Sequence, residues 1–244
     1  MTTATPSRDA LAAARVLLVG MGGLGTPAAA ALAAAGVGGL GLIDPDVVEL
    51  SNLHRQPLYE SGDIGRPKVD AAAARLRATR PRLAVETWRM RFGVEHGALA
   101  GRFDVVLDGT DTIAAKFAVN DAAVAAGVPL VHAGVLGFQA QLLTVLPGRS
   151  ACYRCVFEDP PPPGDVPSCQ EAGVIGPLTA LAGTLQALEA VRLLGGSEAA
   201  FADRLLTIDA RSGRWRTVPL FQNPRCPTCA ERRTREATRR SIVA

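Results

Sequence analysis

Aromatic side chains are scarce, at 5% of 244 residues, and the formal net charge is only +3. Proteins that hold nucleic acid combine a basic face with stacking aromatics, and this chain is poor in both. The segment Glu231 to Arg240 carries five arginines against two glutamates, so the rest of the chain is close to neutral. That tail reads as a solvated helix end, and nucleic acid is not an expected partner. Histidine is rare as well. His54, His96 and His132 are scattered, with none at motif spacing from a nucleophile. No Ser–His or Cys–His unit can be read from them, and His132, inside an apolar strand, reads as a core residue. The longest apolar stretch, Ala172 to Leu188, is broken by Pro177, Thr179, Thr184 and Gln186 and suits a core helix better than a membrane span. The first strand begins within about fifteen residues of Met1, which leaves no room for a secretory signal. A soluble, cytoplasmic protein without a membrane partner is the expectation.

The chain is otherwise rich in apolar residues (48%), with 20% charged, an ordinary globular composition. Arg15 to Val19 reads as a buried strand leading directly into Gly20, Gly22, Gly23 and Gly25. Thr26-Pro27 and an alanine-rich helix follow. Glycines at such a turn let backbone N–H groups approach phosphate oxygens at the positive end of the helix. A second strand, Gly39 to Ile43, delivers Asp44 about 20 residues past the loop, the usual place for a carboxylate that grips a ribose. The next segment, Ser51-Asn52-Leu53-His54-Arg55-Gln56, and then Lys68, place two cations beyond that site. Two fixed cations suit a triphosphate better than a nicotinamide.

Helix is expected over Pro67 to Arg80 and Thr112 to Ala126, and strand over Ala84 to Trp88, Asp104 to Leu107 and Val128 to His132. This alternation predicts a Rossmann-like, doubly wound, mostly parallel α/β sheet. Beyond it, Val135 to Leu146, Arg204 to Ile208 and Arg214 to Val218 read as antiparallel strands around a helix from Pro177 to Leu194. No internal repeat shows. The expected organisation is one domain over residues 1–244, with a nucleotide-binding half (1–134), a platform half (135–230) and the basic tail (231–244). In Asp108-Gly109-Thr110-Asp111 two carboxylates lie at the carboxyl end of a parallel strand, the edge at which such sheets bind ligands. One of them can hold Mg²⁺; alternatively Asp111 or Thr110 caps the following helix.

Five cysteines sort into two CxxC pairs, Cys152/Cys155 and Cys226/Cys229, plus Cys169. Duplicated CxxC spacing predicts a structural zinc site of four thiolates with no open coordination position. Cys169 follows the proline run Pro160 to Pro163, which can be neither helix nor inner strand. It reads as a thiol on an exposed connection, either reactive or incidental.

Together these segments resemble the ThiF/MoeB/HesA family of the ubiquitin-activating enzyme superfamily, adenylyltransferases of sulfur-carrier proteins in thiamine and molybdopterin synthesis. The resemblance rests on VLLVGMGGLG, DPDVVELSNLHRQ, GRPKVDAA, DGTD, CYRCVF, PSCQEAGVIGP, GTLQALEA and CPTC, in that order from Val16 to Cys229. It implies ATP bound by Gly20, Gly22, Gly23, Gly25, Asp44, Asn52, Arg55, Gln56, Lys68 and Asp111. Asp44 would hold the ribose with Asn52 nearby, Arg55 and Lys68 the phosphates, and Asp111 the essential Mg²⁺. Cys152, Cys155, Cys226 and Cys229 would hold zinc, and Cys169 would be the crossover-loop cysteine. The implied partners are a ubiquitin-like sulfur carrier ending in Gly-Gly, a separate sulfur donor (cysteine desulfurase or rhodanese) and a second copy of the chain. Family members usually begin with an arginine arm that reaches the partner's ATP site. Arg8 is the sole arginine before the first strand, and no match to that arm is found. No rhodanese-like domain is expected, because the chain stops soon after Cys229. Adenylation of a carboxylate on modified tRNA is the alternative within the superfamily. A nicotinamide-dependent oxidoreductase would leave Arg55, Lys68 and the cysteine quartet without a role.

Overall fold

The structure is a computed structural model that describes residues 6–162 and 173–229. Its framework is one eight-stranded sheet in the order β3-β2-β1-β4-β5-β6-β7-β8. The strands are β1 (Arg15–Val19), β2 (Gly39–Ile43), β3 (Ala84–Trp88), β4 (Val105–Asp108), β5 (Leu130–Leu136), β6 (Gln139–Val145), β7 (Arg204–Asp209) and β8 (Arg214–Pro219). The first five are parallel and the last three antiparallel. β1 has β2 on one side and β4 on the other, so the connections leave it in opposite directions. A crevice opens at such a switch point, beyond the carboxyl ends of the strands.

The apolar runs explain the layering. In β1, Val16 and Leu18 join one buried cluster with Leu32, Leu76 and Ala187, while Leu17 and Val19 join another with Phe117, Val119 and Tyr153. Successive side chains of a strand point to opposite faces, so an all-apolar strand needs cover on both. The cover on one side is α2 (Gly25–Ala35), α3 (Lys68–Thr79) and α7 (Gly176–Leu194), and on the other α5 (Ile113–Ala126) and α6 (Tyr153–Phe157). Two short helices, α1 (Arg8–Ala13) and α4 (Gly97–Ala100), complete the set. Among the described residues no helix is long and apolar enough to cross a membrane; α7 carries the buried polar residues Thr179, Gln186 and Glu189 on its packed face.

Three local expectations are corrected. The stretch expected as one strand from Val135 to Leu146 is divided, because Gly137 takes φ +55° and turns the chain from β5 into β6. α3 begins at Lys68, with Pro67 outside it as the N-cap. α5 begins at Ile113, and its cap is Thr112, whose hydroxyl accepts from the Ala115 N–H at 3.3 Å. Neither Asp111 nor Thr110 caps it. Thr110 is instead drawn back to Asp108: its N–H and hydroxyl both donate to Asp108 Oδ1, at 2.9 and 2.6 Å.

Asp108 is the centre of a buried polar network under the carboxyl edge. Its Oδ2 accepts from His132 Nδ1 at 2.7 Å and lies 3.6 Å from Lys116 Nζ. Lys116 also donates to the carbonyls of Thr110 and Ala133, at 2.7 and 2.8 Å. Gln186 reaches from α7 on the sheet's other face and donates to the carbonyls of Asp108 and Val131, at 2.8 and 2.9 Å. Burial pushes the Asp108 carboxyl up, but Lys116 and the His132 and Thr110 hydrogen bonds outweigh it and hold the group well below the usual carboxylate range. Burial and the neighbouring Lys116 push His132 down against the pull of Asp108. The imidazole is therefore neutral, as suits a core histidine with one ring nitrogen bonded to Asp108.

A pH dependence follows. Unfolded histidine binds a proton near pH ~6.5, whereas His132 in the fold resists protonation, so the unfolded chain binds more protons and stability falls as pH drops below that value. Asp108 contributes stability above the unfolded carboxylate value of about 3.9, lost only as pH falls through its lower folded value. The urea midpoint should decline between pH 7 and 5, equivalent to at most about 1.4 kcal/mol per pH unit from this one group. His132→Asn should flatten that decline; an unchanged slope would rule out a neutral, buried His132 as its source.

Candidate active site

The glycine loop leaves β1 in a conformation that only glycine allows at two points. Gly20 has φ +93°, and a Cβ there would lie 2.7 Å from the Gly109 carbonyl. A Cβ on Gly25 would lie 1.9 Å from the Gly20 oxygen. The loop thus folds tightly onto itself and onto the start of the Gly109–Asp111 turn. It is held by Gly20 N–H to Ile43 O at 2.7 Å, and by Tyr59, whose hydroxyl donates to Met21 O at 2.8 Å. The Thr26 N–H and hydroxyl both donate to Gly22 O, at 3.0 and 2.8 Å. No side chain caps α2, whose N-cap is Leu24. Within its first turn Pro27 has no N–H and the Ala28 N–H donates to Leu24 O, so it is the glycine-loop backbone before the helix, at the positive end of its dipole, that suits an anion.

Asp44 stands at the end of β2, buried beside this loop. Its Oδ2 accepts from Met21 N–H at 2.7 Å and its Oδ1 from Asp46 N–H at 2.9 Å. Lys68, the first residue of α3, is also buried, with Nζ 3.9 Å from Asp44 and 3.1 Å from Asp46 Oδ2. Burial raises the Asp44 pKa, and Lys68 with the two backbone donors pulls it back only in part. Gln56 is 2% exposed. Its Nε2 is the atom nearest to where a Gly22 Cβ would stand, at 3.6 Å, and its Oε1 has no hydrogen-bond partner. The expected set of glycine loop, Asp44, Gln56 and Lys68 is therefore brought together.

Asn52 and Arg55 lie on the 3-10 helix Leu50–Arg55. The backbone of its C-terminal end is wedged against two glycines: a Cβ on Gly23 would lie 3.3 Å from Arg55 O, and one on Gly176 2.7 Å from His54 O. The side chains fold onto their own helix. Arg55 Nη1 donates to Ser51 O at 3.1 Å and Asn52 Nδ2 to Ser51 Oγ at 3.3 Å. Asp111 is exposed, two residues beyond the Gly109 that abuts Gly20. Asp108 is buried, and Asp111 is the carboxylate of the pair exposed at the surface of the edge. Cys169 and the basic tail lie outside the described residues.

The four paired cysteines converge. Their Sγ atoms lie within 4.8 Å of one another, with Cys152–Cys155 at 3.8 Å, Cys152–Cys226 at 3.5 Å and Cys155–Cys229 at 3.4 Å. Ligands on a tetrahedral ion with bonds of ~2.3 Å stand ~3.8 Å apart, so the cluster fits one metal ion. It sits against α5. Arg154 makes a forked contact with Asp121, at 2.9 and 3.0 Å from Nε, and Thr228 donates to the same carboxylate at 2.9 Å. The N–H of Tyr153 donates to Asn120 Oδ1 at 2.9 Å.

Sequence reasoning did not single out Lys116, Asp46, Tyr59 or Gln186. Lys116 is the one basic residue in α5, and a lone cation in a mostly apolar helix is the signal it offered.

The ThiF family matches residues 2–228. Over 97% of this chain and 88% of the relative, the sequence is 43% identical to a sulfur carrier protein adenylyltransferase of Thermus thermophilus. It is also 43% identical to the sulfur carrier protein ThiS adenylyltransferase of Escherichia coli, over 88% of this chain and 85% of that one. Among solved structures, E. coli MccB in a crystal with MccA-N7isoASN superposes with a TM-score of 0.81 at 23% identity, covering 91% of this chain and 68% of that one; this likeness concerns the fold alone. A parallel sheet with an uncapped glycine turn at its switch point, an antiparallel extension and a four-cysteine cluster accompany that sequence match, and the chain belongs to the ThiF family.

Proposed function

We propose that the chain uses ATP to adenylate the C-terminal carboxylate of a ubiquitin-like sulfur-carrier protein, releasing pyrophosphate, as a step of thiamine or molybdopterin synthesis. The observation that carries this reading is the meeting, at one sheet edge, of an uncapped helix N-terminus, the buried Asp44–Lys68 pair and the Asp111 turn. Relatives named as sulfur carrier adenylyltransferases do not favour the tRNA or oxidoreductase alternatives.

The chemistry suits these groups. A carrier carboxylate is already ionised at neutral pH, so no general base is needed. Its oxygen bonds to the α-phosphorus of ATP as the α–β anhydride bond breaks and its electrons leave with pyrophosphate. The obstacle is bringing one anion to a polyanion. The glycine-loop backbone at the positive end of α2, Lys68 and a swung-out Arg55 reduce that repulsion and stabilise the charge gathering on pyrophosphate. Asp44 takes the ribose hydroxyls, which would supply the donors its burial lacks. The exposed Asp111 carboxylate fits Mg²⁺, which when bound neutralises phosphate charge. Four converging sulfurs fit zinc, and Cys152, Cys155, Cys226 and Cys229 would hold it so as to fasten the 226–229 segment to α6. The adenylate is then open to sulfur on Cys169 or on a separate persulfide donor, and the enzyme works in the cytoplasm as a homodimer.

ATP–pyrophosphate exchange tests the assignment. It should require a carrier ending in Gly-Gly and fall by at least ~100-fold in Asp111→Ala and in Lys68→Ala. Carrier-independent exchange, or full exchange in Asp111→Ala, would refute it. Cys169→Ala should keep exchange while slowing sulfur transfer to the carrier; loss of exchange would contradict that division of labour. Extracting the metal with a thiol-directed reagent and chelator should release zinc and lower the thermal midpoint, because structural zinc binding contributes folding free energy. A metal-free chain with unchanged stability would contradict the zinc role.

A further inference from the structure

The Asp108 network joins, on its far side, a stack of rings that ends in the cysteine cluster. His132 Nε2 has no hydrogen-bond partner, so the imidazole is fixed by its Nδ1 bond to Asp108 and by the Tyr153 ring, 4.6 Å away at 51°. Tyr153 lies between Cys152 and Cys155 in sequence. Its ring also packs edge-on to Phe117 at 4.9 Å and against Phe157 at 4.5 Å. Tyr153, bonded along the chain to Cys152, touches His132, His132 bonds Asp108, Asp108 bonds Thr110, and Asp111 is the next residue. Each link is short and buried until the last turn.

The geometry points to His132 and Tyr153 as positioning residues that transmit the order of the four-cysteine knuckle to the Asp108–Asp111 turn. The knuckle is then more than a staple for the 226–229 segment, since it sets the ring against the histidine that, together with Lys116, holds Asp108. Asp108 in turn fixes Thr110 by two hydrogen bonds, from its N–H and from its hydroxyl. A second path runs through α5, by Asn120 to the Tyr153 N–H and by Asp121 to Arg154 and Thr228. That path survives when the Tyr153 ring alone is changed, so the ring's part can be isolated. The link to catalysis rests on the reading of Asp111 as the Mg²⁺ carboxylate, whereas the link to the turn does not.

The test is hydrogen exchange at the Thr110 amide, measured without nucleotide on chains whose metal content has been assayed. In Tyr153→Leu with full metal, Thr110 should exchange about 3- to 10-fold faster, the factor expected from losing one buried ring pair. Tyr153→Phe should restore protection. His132→Asn, which places an amide toward Asp108 and removes the ring stacked on Tyr153, should loosen Thr110 in the same way at unaltered metal content, and it decides the matter if Tyr153→Leu loses metal. Unchanged Thr110 protection in a fully metallated ring variant overturns the proposal. In the same variants, the Mg²⁺ concentration that half-saturates ATP–pyrophosphate exchange should rise more than the maximal rate falls. Faster Thr110 exchange with an unchanged Mg²⁺ dependence would leave the coupling standing and remove Asp111 from the Mg²⁺ role.

Discussion

Three backbones packed without side chains between them hold the site together. Gly20, Gly25 and Gly109 meet so closely that a methyl group on Gly20 or Gly25 would collide with main chain. This contact lets α2 start directly at the end of β1 and brings the turn after β4 against it. The glycine loop at the uncapped helix end, the buried Asp44 that accepts from Met21 N–H, and the exposed Asp111 two residues past Gly109 are all tied to this contact. Larger residues at Gly20 or Gly25 would push the glycine loop away from the turn after β4.

Two buried aspartates show how the same residue type is divided between work and architecture. Asp108, at the end of β4, has its charge matched by Lys116, His132 and Thr110, and its pKa is depressed. Asp44, at the end of β2, is under-compensated, and its pKa is raised. For a group with a raised folded value, the favourable contribution is present at low pH and is lost as pH rises through that value. At neutral pH the ionised Asp44 thus costs the fold some stability. Such a cost is common where a side chain waits for a ligand. Gln56, with a buried oxygen that lacks a partner, has the same character.

Much of this was legible in the sequence. β1 and β2 have the bounds that their apolar runs define, because Arg15 and Gly20 mark the ends of one and Gly39 and Asp44 those of the other. The CxxC pairs announced a cluster that the fold assembles from segments far apart in sequence. The β5–β6 turn was hidden, since the residues around Gly137 are as apolar as the strands they join. The buried network was also hidden. A lysine in α5 and a histidine in β5 acquire their meaning only when two parallel strands place them around Asp108. Arg55 shows the converse. Its motif was plain, yet its guanidinium rests on Ser51 O, on its own helix.

The most direct test of the central claim follows the α-phosphate itself. The chain would be incubated with α-labelled ATP, Mg²⁺, inorganic pyrophosphatase and a purified ubiquitin-like carrier. The account predicts label on the carrier's C-terminal carboxylate, as a mixed anhydride cleaved by hydroxylamine and absent when the terminal glycine is removed. Label on RNA, on the chain alone, or on a carrier lacking that glycine would contradict it.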